Sequence, residues 1–218
     1  MRRGVAVLLA ALAALACRDR QAPAPAAGPA AVPAARDVVL FLGDSLTAGY
    51  GVDREESFPA LLEARWRREG LPRRARNAGV SGATSAGVLE NLAWSLAPDV
   101  AAAVVCVGGN DGLRGADLAS VEKSLDAVVA GAQAAGAKVV LAGMRMPPNY
   151  GSDYAGRFAA LYGRVAARRK AAFLPFLLEG VAGKPDLNQP DGIHPNAAGH
   201  RAVAGTVHAF LLKEALLR

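Results

Sequence analysis

Three residues in this sequence have the types that nucleophilic acyl chemistry needs, and two of them share one loop. Ser45 lies in Gly43-Asp44-Ser45-Leu46-Thr47, and Asp191 and His194 lie in Asp191-Gly192-Ile193-His194-Pro195-Asn196. A serine hydroxyl is a poor nucleophile at neutral pH. It needs an imidazole to take its proton and a carboxylate to hold that imidazole in one tautomer. Gly192 permits a tight turn and Pro195 biases His194 toward extended backbone, so the Asp191 carboxylate can meet Nδ1 while Nε2 faces Ser45. Taken alone, an Asp-x-x-His pair is equally well a helix-entry cap. His200 and His208 fall inside the last helical pattern and read as surface or core residues.

A tetrahedral intermediate also needs preorganised donors for its oxyanion. The natural set is the Ser45 N–H, the Gly82 N–H from Asn77-Ala78-Gly79-Val80-Ser81-Gly82-Ala83-Thr84-Ser85, and the Asn110 amide from Gly108-Gly109-Asn110-Asp111-Gly112. Singly, Gly82 is a turn glycine and Asn110 a turn or cap residue; together with Ser45 they make a hole. Apolar substrate lining is expected from Leu113 and from Met144, Pro147 and Tyr150 in Met144-Arg145-Met146-Pro147-Pro148-Asn149-Tyr150. No His-rich or clustered-carboxylate spacing follows a metal-ligand logic, so neither a metal nor another cofactor is expected.

These clusters have to be brought to one place, and the apolar pattern says how. Val38-Val39-Leu40-Phe41-Leu42 reads as a strand buried on both faces that delivers Ser45 just inside a following helix. Further strands are expected at Ala75–Ala78, Ala102–Val107, Lys138–Gly143 and Ala172–Pro175. Helices are expected at Ser57–Glu69, Ala86–Ser95, Leu118–Ala135, Tyr154–Lys170 and Ala198–Leu216. Alternation of this kind means a three-layer α/β/α fold on a five-stranded parallel sheet, with all the polar clusters at the carboxyl edge where ligands bind.

The chain has 218 residues, 52% hydrophobic and 20% charged, which bounds it to one domain, residues 36–218, plus an N-terminal tail. The net charge of +6 permits contact with polyanions, yet Arg65, Arg67, Arg68, Arg73, Arg74 and Arg76 read as a solvated helix face, and no nucleic-acid partner is expected. Arg2 and Arg3 precede an apolar run from Gly4 to Ala16, the pattern of a signal peptide over residues 1–16. Leu12-Ala13-Ala14-Leu15-Ala16-Cys17 resembles a bacterial lipobox, which implies lipidation of Cys17; a plain secretory signal is the alternative. Residues 17–35, rich in Ala and Pro, read as a semi-rigid tether. The expected location is therefore the periplasm, with Arg18 after the lipobox suggesting anchorage to the outer membrane of a Gram-negative cell, and the expected state a monomer. Cys106 sits in an apolar run and reads as a small buried thiol.

Gly43-Asp44-Ser45-Leu46, Gly82, Gly109-Asn110-Asp111 and Asp191-Gly192-Ile193-His194 stand in the order and approximate spacing of the four blocks of the SGNH (GDSL) hydrolase family, which the chain resembles over nearly all of residues 37–218. Gly108 to Gly115 and Asn149-Tyr150-Gly151 look like the exported arylesterase, thioesterase and lysophospholipase branch. The resemblance implies a flavodoxin-like fold, a Ser45–His194–Asp191 triad, an oxyanion hole of Ser45, Gly82 and Asn110, and hydrolysis of acyl esters and thioesters through an acyl-serine. A carbohydrate O-deacetylase and a catalytically silent lipid- or glycan-binding lipoprotein are the competing functions. Ala83 stands where that branch often carries Asp.

Overall fold

The run expected to form a central strand does so: β1 (Val38–Gly43) is buried along its whole length, between β2 (Arg74–Gly79) and β3 (Val100–Cys106). The computed structural model of the chain describes residues 35–217, so the signal peptide, Cys17 and the tether up to residue 34 lie outside the described residues. β4 (Lys138–Ala142) and β5 (Ala172–Leu174) complete a five-stranded parallel sheet in the order β2-β1-β3-β4-β5. β2 carries Arg74, Arg76 and Asn77 because it is an edge strand, half exposed, whereas β1 and β3 can be almost wholly apolar. Cys106 is fully buried at the end of β3.

Among the described residues eight α-helices connect and cover the strands: α1 (Ser45–Ala48), α2 (Phe58–Arg68), α3 (Ser85–Glu90), α4 (Leu92–Ser95), α5 (Gly109–Leu113), α6 (Leu118–Ala134), α7 (Ser152–Arg169) and α8 (Ala197–Lys213). Right-handed crossovers applied to this strand order send α2 to one face of the sheet and α3, α4, α6 and α7 to the other. The contacts agree, since α2 packs with α8 while α6 packs with α3, α4 and α7. On α2 the stripe Phe58, Leu62, Trp66 repeats every turn and is fully buried, with the Phe41 ring edge-on to Phe58 at 5.5 Å and stacked on Trp66 at 6.4 Å.

Two buried histidines fasten α8 to α2. His200 Nδ1 accepts the Phe58 N–H at 3.3 Å and His208 Nδ1 accepts the Trp66 indole N–H at 3.1 Å, both across 142 positions of sequence, so the two helices run in the same direction. An accepting ring nitrogen carries no proton. Burial, with the nearby His194, pushes His200 down to about 4; burial and the Arg65 charge hold His208 below the ordinary range against the opposing pull of Glu69.

Where the elements depart from expectation, local chemistry accounts for it. The helix expected over Ala86–Ser95 breaks at Asn91, whose side-chain amide donates to the Gly87 carbonyl at 2.9 Å and competes with the helix ladder. α8 stops at Lys213 because Ala215 turns left-handed (φ 54°), the Leu216 N–H returns to Leu211 O at 2.9 Å, and Leu216 and Leu217 fold back into the core. β5 ends one residue before Pro175, which has no N–H to give. The Gly108–Gly115 segment, expected as loop, contains the helix α5.

Strand order reverses between β1 and β3, and β1's Gly43 is in register with both Gly79 of β2 and Cys106 of β3. The three loops that follow these strands therefore leave the sheet side by side, at the crevice where doubly wound folds bind ligands.

Candidate active site

Ser45 is the first residue of α1, directly after the turn out of β1. That turn is tight: a side chain at Gly43 would collide with the Thr47 hydroxyl and place its Cβ 2.7 Å from the Cys106 carbonyl oxygen. Asp44 caps the helix, its carboxylate accepting the Leu46 N–H at 3.1 Å and leaving the Ser45 N–H, a first-turn donor without a helical partner, free for other use. Asp44 is 2% exposed, and burial pushes its carboxyl up to about 6.

Asp191 and His194 arrive on the loop between Asn188 and α8. His194 Nε2 lies 2.9 Å from Ser45 Oγ, and His194 Nδ1 lies 2.7 Å from Asp191 Oδ2. A carboxylate only accepts, so Nδ1 holds the proton, Nε2 offers a lone pair, and the serine hydroxyl donates to it. Asp191 is itself fixed, because its other oxygen accepts the backbone N–H groups of Ile193 and His194, each at 3.0 Å. Burial pushes the Asp191 carboxyl up, but the bonds from the His194 ring and from those two N–H groups outweigh it and hold the group below the ordinary carboxylate range.

Asn110 stands on α5, with its side-chain amide donating one N–H to the Ala83 carbonyl at 3.0 Å. An amide has two N–H groups, so the second is left for a ligand in the cleft, which Asn110 lines together with Ser45 and His194. The same loop is bound to α5 twice more: Arg114 donates to Gly82 O at 3.3 Å, and the buried Asp111 accepts from the Ser85 hydroxyl at 2.7 Å and its N–H at 2.9 Å. Gly82 has φ 82°, a conformation that favours glycine; it is exposed and stands outside the cleft lining, next to the residue that holds Asn110.

The cleft has a volume of about 430 Å³. Of the residues expected to line it, Leu113, Met144 and Pro147 do. Tyr150 does not: its hydroxyl donates to Leu113 O at 3.0 Å, so it props the end of α5 from outside the cleft. A loop position at the right sheet edge does not fix which way a side chain points. The far wall was not foreseen. It is made by Phe176, Leu178, Ala182 and Gly183, with Arg145 4.6 Å above the Phe176 ring. The available signal was Phe176-Leu177-Leu178, an apolar run directly beyond β5 at the same edge. Among the described residues no group of His, Cys, Asp or Glu side chains is arranged to hold a metal ion.

The chain resembles known proteins in both sequence and fold. The model of the GDSL-like lipase/acylhydrolase family matches residues 41–202. The chain is similar to the esterase TesA of Pseudomonas aeruginosa, 46% identical over 76% of this chain and 83% of that one. It is also similar to thioesterase 1/protease 1/lysophospholipase L1 of Escherichia coli, 40% identical over 75% and 77%. Among solved structures, a TesA superposes with a TM-score of 0.78 at 43% identity, covering 80% of this chain and 98% of that one. The psychrotrophic esterase EstA from Pseudoalteromonas, inhibited by monoethylphosphonate, gives 0.79 at 32% identity, covering 82% and 98%. A family match across most of the folded part, with relatives that share both sequence and fold, shows that the chain belongs to the GDSL-like lipase/acylhydrolase family, the SGNH hydrolases, and is a serine esterase.

Proposed function

We propose that the chain hydrolyses acyl esters and thioesters with Ser45 as nucleophile, His194 as general base and acid, Asp191 as the group that orients it, and Ser45 N–H, Gly82 N–H and the Asn110 amide as oxyanion donors. The observation that carries this reading is the unbroken line Asp191–His194–Ser45, with links of 2.7 and 2.9 Å, at one wall of an apolar cleft. Ser45 Oγ attacks the acyl carbonyl carbon as its proton passes to His194 Nε2. The oxyanion draws on the three donors, and the intermediate collapses as the imidazolium protonates the departing alcohol or thiol. Water, deprotonated by His194, then attacks the acyl-serine, and the carboxylic acid leaves with Ser45 restored.

Leu46, Leu113, Met144, Phe176 and Leu178 suit an aliphatic acyl chain better than an acetylated sugar, which favours the lipid-like substrate over a carbohydrate O-deacetylase. The relatives named esterase and thioesterase/lysophospholipase support the same substrate classes. Ser45→Ala tests the reading: turnover of p-nitrophenyl butyrate and labelling by a fluorophosphonate are both expected to vanish while the fold stays intact. Residual turnover above background would remove Ser45 from the role. A silent binding lipoprotein would leave the native chain unlabelled.

We further propose that the protein is exported and lipid-anchored through Cys17, on the strength of the signal-like leader and the lipobox-like Leu15-Ala16-Cys17. Mass spectrometry of the mature protein is expected to find lipid on Cys17. An unmodified chain beginning elsewhere would refute it.

A further inference from the structure

The two ends of the serine–histidine hydrogen bond come from segments 149 positions apart, and a hydrogen bond of that kind serves catalysis best when something else sets its length. Gln189 is built to do so. Its backbone N–H donates to the His194 carbonyl at 2.8 Å, while its side-chain amide donates to the Pro195 carbonyl at 3.0 Å and to the Tyr50 carbonyl at 2.6 Å. Tyr50 is tied in turn to the nucleophile, its N–H donating to the Ser45 carbonyl at 3.0 Å. The chain Ser45–Tyr50–Gln189–His194 thus runs behind the reactive bond and closes it into a ring. The space for it is made at Gly51, where a Cβ would collide with the Gln189 amide oxygen.

The Tyr50 side chain has no place in the core or in the cleft lining: it is 54% exposed. Its ring instead meets the His194 imidazole with centroids 4.8 Å apart and a tilt of 46°. An aromatic ring of that kind shields the base from water, and its π-system attracts the imidazolium that forms at each proton transfer.

We propose that Gln189 and Tyr50 are positioning residues for the base: Gln189 clasps the His194 loop to the segment that follows the Ser45 helix, and the Tyr50 ring covers the imidazole. The proposal rests on the Ser45–His194 reading of the site. It assigns both residues to the chemical step and neither to substrate binding.

The test compares Gln189→Met, Tyr50→Leu, Tyr50→Phe and Ser45→Ala with the native chain, measuring kcat and KM on p-nitrophenyl butyrate, the rate of fluorophosphonate labelling, and folding by circular dichroism. Methionine keeps the length of glutamine without its N–H donors, and the released loop is expected to lower kcat and the labelling rate by about tenfold to a hundredfold with KM little changed. Tyr50→Leu is expected to lower both by about three- to fivefold, and Tyr50→Phe, which keeps the ring, to recover most of that loss. If Gln189→Met fails to fold, the exposed Tyr50 pair still decides. Ser45→Ala with retained activity would overturn the reading of the site beneath the proposal. An inactive Ser45→Ala beside Gln189→Met and Tyr50→Leu enzymes of native kcat, or variants that change KM alone, would overturn the clasp and leave that reading standing.

Discussion

Asn110→Ala removes a single group whose two N–H donors have different duties in the proposed mechanism. One is held by the Ala83 carbonyl at 3.0 Å, so it steers the amide; the other is left for the cleft that Asn110 lines with Ser45. Losing the second would take one donor from the proposed oxyanion hole, a change of about 3 kcal/mol in the barrier, or roughly a hundredfold or more in kcat. The donor is used when charge develops on the carbonyl oxygen, not before, so KM should stay near its native value. Losing the first leaves Ala83 O without its partner, at a cost of up to about 1 kcal/mol in stability because that loop is only part-buried. The assay is steady-state hydrolysis of p-nitrophenyl butyrate, with a thermal melt on the same preparation. A fall in kcat of less than about fivefold in a stably folded variant would refute the reasoning, since Asn110 would then only hold the Ala83 loop.

Three further outcomes follow from the same geometry. Burial raises the Asp44 carboxyl from an ordinary 3.8 to about 6, so its contribution to stability is full below the lower value and lost as pH rises through the upper one. Asp44→Asn, which keeps an oxygen for the Leu46 N–H, should melt progressively higher relative to the native chain between pH 4 and pH 8, by up to about 3 kcal/mol, and a constant difference would refute this. His200 has the opposite sign. Its pKa falls from 6.5 to about 4 on folding, so it costs stability as pH drops through that window, about 2 kcal/mol between pH 7 and pH 5, and thermal melts of His200→Asn should show a shallower acid slope than the native chain. Equal slopes would mean that His200 is not held neutral. Going from p-nitrophenyl acetate to hexanoate buries up to four methylenes at a ceiling of about 0.8 kcal/mol each, so kcat/KM should rise, by no more than roughly two-hundredfold, and rise less in Leu113→Ala. A profile that peaks at acetate would favour the deacetylase reading.

The sheet was legible because its inner strands β1, β3 and β4 are nearly continuous apolar runs and the long helices carry apolar stripes, signals set by burial alone. β1, buried at every position, and α2, with Phe58, Leu62 and Trp66 on one side, needed no knowledge of their neighbours. Element ends were less legible because competing hydrogen bonds decide them. The Asn91 side chain breaks one helix, and the return of Leu216 to the core ends another. α5 escaped because Gly109-Asn110-Asp111-Gly112 has the composition of a turn.

The site divides in the same way, between groups recognisable by type and groups that matter through what they touch. Ser45, Asp191, His194 and Asn110, the groups proposed to react, carry chemistry in the side chain itself, and two of them sit on one loop, so residue type and spacing single them out as candidates. Gln189 carries none: a glutamine in a polar loop reads as solvated, and its bond to Tyr50 joins positions 139 apart. Phe176 and Leu178 are hidden for the opposite reason, since an apolar run next to a strand reads as core until the cleft that it faces is known. Tyr150 drew attention as an aromatic at the right edge, yet Tyr50 is the one whose ring meets His194, because α1 is so short that the residue closing its last turn is still beside the nucleophile. Local sequence therefore exposes the candidate reacting groups, while the contacts between them emerge only when the carboxyl ends of β1, β3 and β5 bring distant loops together.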